Sequence, residues 1–438
     1  MKHLGIILPI AVALLALGCD KQGVKDTLSN REQTIKVRSS ILYPFGLNRV
    51  VDYSGTEKAD YRLHIMLTGA KWCRETVNWE DVQPEFLTWR WNRPDRVLAE
   101  AKDYGLRLLM TLNRSATWSV SALDAPRETK LISPPNPVHW GRYVRTMVEH
   151  CRSDVQFWEI WNRPDSALSF DGRPEQFVEM LKAAYGVARE ADPDCVVLMG
   201  TVRDPEWLDS ALVFGAGKYC DVFCVDLSGV ETTMASGTGT APKAFDEAPL
   251  LQAARFQMQK FVNVLRERRV DKPVWVTCPG TYAAPAEDQA RLVVKLHATL
   301  LASGADMIFW DSLISDRDGS VAAGLFYPDL SRRPAGEAYA GLTGLLGQAR
   351  YSRIISCDPV GVTAYEFRQG SAFLTIAWSV RDAVIKLPEG CRQAYDMYGR
   401  VRILKGEELS SREVKIGREP VFFAGKVIGS DRKGYGGL

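Results

Sequence analysis

The hydrophobic pattern of the chain alternates eight times between short apolar runs and segments with helical periodicity. Unbroken apolar runs are typical of parallel strands whose two faces are both covered. Residues 96–102 illustrate the helical pattern, and Gly105 ends it. The predicted strands are Ile41–Leu47, Ala70–Arg74, Leu106–Leu112, Val155–Trp161, Cys195–Thr201, Cys220–Leu227, Pro273–Cys278 and Ala305–Asp311. The predicted helices cover about residues 57–68, 92–104, 138–151, 174–191, 205–217, 250–269, 287–303 and 335–346.

Eight strand–helix units in succession predict a parallel sheet with right-handed crossovers, and eight such units close into a (β/α)8 barrel of the TIM type. An open, doubly wound sheet is the alternative, but no GxGxxG sequence follows the first predicted strand. We therefore predict a barrel over residues 37–349.

After residue 350 the pattern changes to short alternating strands. Val362–Arg368 alternates, Gln369-Gly370 forms a turn, and Phe373–Trp378 returns. This pattern predicts a small antiparallel β-sandwich over residues 350–427, followed by a disordered, glycine-rich tail over 428–438.

The N-terminus has the pattern of a targeting segment. Lys2 and His3 precede an apolar run, Leu4–Leu17, that is too short to span a bilayer. Leu15–Cys19 resembles a bacterial lipobox, with Ala16 where leucine is usual, which implies a signal peptide over 1–19 and lipid on Cys19. The alternative is an ordinary signal peptide cut nearby. Residues 20–36 are predicted to be a tether, so the expected location is the bacterial cell envelope, with a lipid anchor in the inner or outer membrane.

Composition narrows the classes of function. The hydrophobic fraction of 46% and charged fraction of 25% are ordinary for a globular protein. A net charge of +2 gives no reason to expect nucleic acid as a partner. The 12 Trp, 15 Tyr and 16 Phe suit a carbohydrate site, where sugar faces stack on rings. Nine cysteines without a CxxC pair and five histidines give no metal-binding pattern, so we predict neither metal nor cofactor, and mostly buried free thiols.

Several motifs then occur in an order that resembles a known superfamily. They are Gly69–Arg74 with Trp79–Pro84, Gly105–Arg107 with Trp118-Ser119, Trp158–Pro164, Lys272–Thr277, Ile308–Trp310, Gly324-Leu325 and Arg333–Ala335. Together they resemble the clan-A glycoside hydrolases, especially the group around β-xylosidases and α-L-iduronidases. The resemblance covers about residues 40–425 and implies a site at the C-terminal ends of the barrel strands, with a saccharide as ligand.

The departures from that pattern fall where the chemistry of the superfamily lies. A retaining glycosidase needs two carboxyl groups about 5–5.5 Å apart. The acid/base glutamate corresponds to Arg163, the nucleophile to Cys278, and a histidine at the end of strand six to Asp226. Arginine stays charged at any working pH, so it cannot donate a proton and take it back.

Other residues of the superfamily's site are retained. Arg74, Glu159, Asn162 and Trp310 correspond to residues that position the catalytic pair or hold the innermost sugar. We also expect three aromatic residues on loops, Trp79, Trp118 and Tyr282, to contact sugar. The alternatives are structural: a buried Arg74–Glu159 ion pair, a strand-end cap at Asn162, and a core position for Trp310.

Two routes to residual hydrolysis remain open. Cys278 could ionise beside a cation and attack a sugar. Alternatively, a relocated carboxylate among Glu75, Asp226 and Asp311 could act. We expect Asp226 to pair with Arg163 instead, because each would otherwise be a lone charge in a narrow cup. The predicted strands four, six and seven also place Arg163 and Cys278 across the barrel mouth from each other, with Asp226 between or beside them.

The sequence thus predicts a lipid-anchored, catalytically degenerate glycosidase-like protein that binds a glycan or takes part in polysaccharide assembly. Acidic glycans are the first choice of ligand, since Arg163 could clamp an anionic group. The alternative is an active glycoside hydrolase with non-standard residues. A third possibility is a structural scaffold whose cleft is filled by side chains.

Overall fold

The computed structural model describes residues 32–41, 43–50, 61–121, 124–228, 247–279, 284–314, 324–355 and 361–426. Cys19, the apolar run before it, Tyr282 and the tail after residue 426 lie outside these residues. Within them, no helix is long and apolar enough to cross a membrane.

Eight parallel strands form a closed barrel in which β1 pairs with both β2 and β8. The strands are β1 (Phe45–Asn48), β2 (Trp72–Asn78), β3 (Arg107–Asn113), β4 (Phe157–Asn162), β5 (Val196–Val202), β6 (Val222–Asp226), β7 (Val274–Cys278) and β8 (Met307–Trp310). Each overlaps one of the predicted strands, so the predicted barrel is confirmed.

Helices surround the barrel between the strands. They are α1 (residues 32–40), α2 (Arg62–Thr68), α3 (Trp79–Val82), α4 (Asn92–Asp103), α5 (Arg127–Ile132), α6 (Pro137–Cys151), α7 (Pro174–Ala191), α8 (Pro205–Val213), α9 (Ala248–Glu267), α10 (Ala286–Ala302) and α11 (Pro334–Leu346). Four of the helices, α6, α7, α8 and α11, begin with proline, whose fixed φ suits the first helical position. Gly105, at φ 67°, reverses the chain after α4 as predicted.

Helix α1 closes the N-terminal end of the barrel, and it corrects the end of the predicted tether over 20–36, because residues 32–36 are helical. Val37 and Ile41 are 1% exposed and pack among interior residues at the strand starts, such as Trp72 and Phe157. Thr34 already donates to the carbonyl of Asp271, 3.2 Å away. The hydrophobic pattern missed this helix because it buries so few apolar side chains among polar ones.

The barrel interior changes from apolar to polar along its axis. Trp72, Phe157 and Trp275 fill the N-terminal part, with ring centroids 4.8–5.5 Å apart. Above them lie Leu109, Leu198 and Cys224, and polar side chains follow toward the C-terminal end. The apolar filling closes the interior at the N-terminal end, so a ligand would reach the barrel interior from the C-terminal mouth.

The C-terminal residues form a six-stranded antiparallel sheet and a two-stranded sheet. The strands are β9 (Arg350–Ile354), β10 (Val362–Gln369), β11 (Ala372–Ser379), β12 (Ala383–Lys386), β13 (Cys391–Tyr395), β14 (Val401–Arg402), β15 (Glu413–Ile416) and β16 (Val421–Lys426), with a short helix α12 (Gly406–Ser411). One face of the larger sheet joins the barrel's outer core through residues such as Ile376 and Trp378. The other face packs on β12 and β15, which confirms the predicted second β domain.

A buried histidine between the barrel and its helices makes stability depend on pH. His297 on α10 is 0% exposed, and its Nδ1 is 2.7 Å from the carbonyl oxygen of Val293. Burial lowers the pKa of His297 to about 4, because the charged imidazolium is poorly solvated there.

We expect this histidine to reduce stability in mild acid. The unfolded chain binds its proton near the ordinary pKa of about 6.5, whereas the folded chain does not until about pH 4. Stability should therefore fall by roughly 2–3 kcal/mol as the pH drops from 7 to 4.5. Urea unfolding of the wild type and of His297→Leu across that range measures the free energy of unfolding of each protein. A difference between the two free energies that does not change with pH would contradict this expectation.

Candidate functional site at the barrel mouth

Asparagines end the first four barrel strands and surround the mouth with amide groups. They are Asn48, Asn78, Asn113 and Asn162. The Nδ2 of Asn48 donates to the carbonyl of Thr277 at 2.6 Å, and Oδ1 of Asn113 accepts from the backbone N–H of Asn162 at 3.1 Å. The first bond links β1 to β7 across β8, the second joins the neighbouring strands β3 and β4, and together they leave an amide-rich rim, which suits polar ligands.

Arg74 and Glu159 form a buried ion pair inside the mouth. Nε and Nη2 of Arg74 donate to Oε2 and Oε1 of Glu159 at 2.7 and 3.0 Å. Nη2 also donates to Oδ1 of Asn162 at 2.9 Å. Burial disfavours the guanidinium charge, but the charge and hydrogen bonds of Glu159 outweigh it and raise the pKa of Arg74. The expected ion pair is therefore present, and it also fixes Asn162.

Glu159 is 0% exposed and accepts further bonds from the adjacent strands. Thr111 donates to Oε2 at 2.6 Å, and both the hydroxyl and the backbone N–H of Thr201 donate to Oε1, at 2.6 and 3.0 Å. Thr201 is in turn 2.7 Å from the hydroxyl of Thr277. Both carboxylate oxygens are fully engaged, so Glu159 serves to hold β2, β3, β4 and β5 in place.

A backbone kink turns Asn162 into the mouth. Trp161 has φ 71°, an uncommon conformation for a bulky residue. Its ring packs outward against Trp140, its Nε1–H donates to the carbonyl of Ser169, and Asn162 then points to Arg74. Gly200 on β5 permits the kink, because a Cβ there would lie 2.5 Å from the carbonyl oxygen of Ile160.

Three arginines follow these strand ends in the left-handed conformation. Arg49 follows β1 at φ 51°, Arg114 follows β3 at φ 60°, and Arg163 follows β4 at φ 58°. Each such residue costs of order 1–3 kcal/mol, and such strain is found most often at functional sites. Backbone strain is thus concentrated at this end of the barrel.

Arg163 is held between two carboxylates. Its Nε donates to Asp165 at 3.0 Å and its Nη1 to Asp226 at 2.8 Å, and the side chain is 21% exposed. Burial disfavours its charge, but Asp165 and Asp226 outweigh this and raise the pKa of Arg163. The pairing with Asp226 was expected, whereas the role of Asp165 was missed.

Asp226 is shared between two arginines at the end of β6. Its Oδ2 accepts from Arg163 and, at 2.9 Å, from Nη2 of Arg203, while Oδ1 accepts from the backbone N–H of Ser228 at 2.7 Å. In the strand register Asp226 lies beside Cys278 of β7. Asp226 is therefore adjacent to both positions that the sequence singled out, Arg163 and Cys278.

Cys278 is the partly exposed cysteine of the mouth. Its Sγ lies 4.0 Å from Oδ2 of Asp311, whose Oδ1 accepts from Arg49 at 2.9 Å. The other barrel cysteines of the described residues are buried: Cys73, Cys151, Cys195, Cys220 and Cys224. Burial raises the pKa of Cys195 and of Cys220 to about 12, which makes them inert thiols, as predicted.

Charges around the mouth nearly cancel. Four carboxylates, Glu159, Asp165, Asp226 and Asp311, are paired with four arginines, Arg74, Arg163, Arg203 and Arg49. Arg114 is exposed and has no ion-pair partner among the described residues. Among the described residues of the mouth, the charges are therefore almost balanced, and Arg114 is an uncompensated cation at the rim.

Two aromatic residues are not placed as expected. Trp79 is 0% exposed and stacks on Tyr143 at a centroid distance of 4.9 Å, so its ring belongs to the core outside the barrel. Trp310 is 1% exposed and packs on His297, because alternation along β8 points Phe309, not Trp310, into the barrel. Neither ring presents a face to a sugar.

The positions of Glu75 and Trp118 decide two further predictions, one against and one in favour of a role at the mouth. Glu75 is buried on the outer side of β2 with Cys73 and Val77, and its Oε1 accepts from the N–H of Val50 at 2.7 Å. It faces away from the mouth and cannot replace a catalytic carboxylate. Trp118 is half-buried, and its Nε1–H donates to the carbonyl of Gln83 at 2.9 Å, which leaves part of its ring accessible.

Comparison with known proteins identifies the fold. No protein-family model and no curated protein match the chain. Among solved structures, a family 39 glycoside hydrolase from Bacteroides cellulosilyticus WH2 is similar, with TM-score 0.67 and 17% identity over 87% of this chain and 81% of that chain. A monomeric β-xylosidase from Caulobacter crescentus CB15 has TM-score 0.57 and 14% identity, covering 89% of this chain and 97% of that chain.

An endoxylanase of family 30 from Clostridium papyrosolvens C71 is also similar, with TM-score 0.61 and 10% identity, covering 88% of this chain and 97% of that chain. The chain therefore shares its fold with these glycoside hydrolases, in agreement with the fold that the sequence motifs predicted. At these identities the similarity establishes the fold and not the activity.

Proposed function

We propose that this chain is a catalytically degenerate glycosidase-like protein that binds a saccharide in the barrel mouth without hydrolysing it. One observation carries the proposal: the four described carboxylates of the cup already accept hydrogen bonds from arginines. They are Glu159, Asp165, Asp226 and Asp311. The similar structures include glycosidases and an endoxylanase, which supports a poly- or oligosaccharide as the ligand.

The charge pattern opposes hydrolysis. A glycosidase transition state carries positive charge at the anomeric carbon. Arg163, in the position matching the acid/base residue, places a permanent cation there and offers no proton to transfer. Cys278, in the position matching the nucleophile, leaves the cup without the second carboxylate of a retaining mechanism.

Binding remains chemically reasonable because the cup keeps its hydrogen-bonding groups. Asn162 is held by Arg74 through its Oδ1, so its amide nitrogen is left to donate to a sugar hydroxyl. The accessible part of Trp118 could support a sugar ring by stacking, as could Tyr282. Binding through such groups is expected to be weak.

A preference for acidic ligands would depend on Arg114 instead of Arg163. Both edges of Arg163 are occupied by carboxylates, so Arg114 is the better group for an anionic sugar. If acidic glycans are preferred, Arg114→Ala should remove the preference for acidic over neutral sugars, and Arg163→Ala should reduce binding to both. Equal binding of both sugar classes by wild type and Arg114→Ala would exclude the preference.

The second candidate function is hydrolysis by Cys278. The approach of its Sγ to Asp311 favours this alternative, since a carboxylate could take the thiol proton. Against it, Arg49 already occupies the other oxygen of Asp311, and each carboxylate that the structure describes at the mouth is paired with an arginine instead of being placed to protonate the leaving sugar.

We further propose that the protein is anchored at the cell envelope through lipid on Cys19. The sequence pattern at Leu15–Cys19 supports this. Membrane attachment would place the cup among envelope polysaccharides and fits a role in their assembly. Mass spectrometry of the mature N-terminus measures the modification directly.

The test of binding is Asn162→Ala. Loss of one neutral hydrogen bond should weaken saccharide binding about 3–10-fold, since it is worth about 0.5–1.5 kcal/mol. A glycan array identifies the ligand, and calorimetry then compares the wild type, Asn162→Ala and, as a matched control, the exposed Asn92→Ala. Equal affinity of Asn162→Ala and Asn92→Ala would place the sugar elsewhere.

A further inference from the structure

The chain enters the barrel at the end opposite to the saccharide cup. Helix α1 packs Val37 and Ile41 among the residues at the strand starts, and Arg107 at the start of β3 donates to the carbonyl of Ser40 at 2.6 Å. Any anchor before residue 32 is therefore attached at the N-terminal face of the barrel. From Cys19 to Glu32 there are 13 residue steps (32 − 19), which span at most about 45 Å.

A basic cavity lies beside this entry point. Its volume is about 460 Å³, and α1, the end of α9 and the starts of β7 and β8 surround it. Its charged lining residues are Arg38, Arg266, Arg269, Asp271, Lys272 and Asp306. Four cations thus face two carboxylates in one concavity.

The two carboxylates are taken by a single arginine. Arg38 lies 3.0 Å from Asp271 and 3.5 Å from Asp306. Lys272 donates to the backbone carbonyl of Cys220, which does not neutralise its charge.

Two exposed arginines of the cavity remain without a carboxylate. Arg266 donates to the amide oxygen of Asn263 at 3.0 Å, and neither Arg266 nor Arg269 has an ion pair with another described residue. The C-terminal end of the α9 dipole favours cations at these positions. Arg38 brings one positive charge to the two carboxylates, so together with Arg266, Arg269 and Lys272 the charged lining sums to +2 (4 − 2) on the face nearest to the chain entry.

We propose that this basic cavity docks on anionic phospholipid head groups and turns the cup away from the membrane. The proposal rests on the proposed envelope anchoring, which keeps this face within reach of a bilayer. Attraction between exposed charges is screened beyond about 8 Å, so the cavity acts only when held close to the surface. Each basic residue strengthens binding to an anionic surface about fivefold. The saccharide bound in the cup is then a glycan beyond the head-group layer.

Vesicle binding tests the docking independently of acylation. The full chain carrying Cys19→Ser, which cannot be acylated, is mixed with vesicles of phosphatidylcholine alone or with added phosphatidylglycerol. The same protein, including its apolar run 4–17, is used with both kinds of vesicle, so the difference between the two affinities measures the contribution of the basic surface. We expect at least tenfold tighter binding to the anionic vesicles, with slower hydrogen exchange at residues 262–273 and unchanged exchange at 163–170.

Charge variants on one helix provide matched controls. Arg266→Glu with Arg269→Glu should remove the preference for anionic vesicles. Arg255→Glu with Lys260→Glu changes the net charge equally, at exposed positions nearer the mouth end of α9, and should keep it. Arg266→Gln with Arg269→Gln repeats the test without introducing negative charge, should the first variant fold poorly.

The outcomes separate docking from the function of the cup. Equal affinity for both vesicle types, an equal loss in both pairs of charge variants, or exchange protection at 163–170 would overturn the docking. The variants at Arg266 and Arg269 should bind saccharide with the wild-type affinity, because the basic cavity and the cup are at opposite ends of the barrel. If the wild type binds no saccharide but still prefers anionic vesicles, the proposed function is contradicted and the docking is not.

Discussion

Arg74→Leu should destabilise the protein by about 3–5 kcal/mol, since it leaves the buried carboxylate of Glu159 without its counter-charge. Glu159 is 0% exposed, and the hydroxyls and N–H that remain cannot neutralise it. Urea unfolding followed by circular dichroism measures the change in the free energy of unfolding.

Two further variants define the cause. Arg74→Leu combined with Glu159→Leu removes both charges and should recover much of the loss, because no lone charge is left buried. Arg268→Ala breaks an exposed ion pair with Asp209 and should change stability by less than about 1 kcal/mol. A loss in Arg74→Leu as small as that in Arg268→Ala would mean that Glu159 is not held as described.

Glu247→Ala should cost a similar amount, about 3–5 kcal/mol, at the junction of the barrel with the β-sandwich. Glu247 precedes α9 and accepts from Lys295 on α10 at 2.5 Å and from Arg418 of the C-terminal domain. Lys295 is 2% exposed, so removal of Glu247 leaves a buried ammonium without a partner. Burial opposes the charge of Glu247, but its bonds with Lys295 and Arg418 outweigh it and lower its pKa to about 2.

The pKa gives this prediction a pH dependence. Because the folded pKa lies below the ordinary value of 4.5, the stabilisation is present above pH 4.5 and is lost as the pH falls toward 2. Wild type and Glu247→Ala should thus converge in stability only in strong acid. Glu190→Ala, at an exposed pair with Arg145, serves as the control. A constant difference between wild type and Glu247→Ala from pH 7 to pH 2.5 would contradict the pairing.

The barrel could be predicted from sequence because its signals are local and repeated. Strand β5 is apolar apart from Thr201, β4 is apolar apart from Glu159 and Asn162, and α7 and α9 have long helical periods. Helix α1 was missed, since Val37 within it and Ile41 just after it form no recognisable apolar stripe.

The site could be predicted only in part. Residues inside the motifs, such as Arg163 and Asp226, were found together with their mutual pairing. Asp165 and Arg203, which complete that cluster, carried no separate signal, although both lie directly beyond strand ends where the site was expected.

The errors concern the direction of side chains. Trp310 follows an inward-facing Phe309 and therefore points to the helices, because side chains alternate along a strand. Glu75 points outward because it follows the inward-facing Arg74. Asn162 reverses that rule, because the left-handed backbone at Trp161 turns it inward. A motif gives the position of a residue along a strand, whereas its direction depends on kinks that only the structure shows.

The central claim is that the cup binds saccharide without cleaving it, and one measurement tests it most directly. Saccharides retained by the wild-type protein are incubated with wild type and with Cys278→Ala, and products are followed by mass spectrometry. The account predicts equal binding by both proteins and no product above the rate without protein. Product formed by the wild type and abolished in Cys278→Ala, with binding retained, would show an active hydrolase and contradict the account.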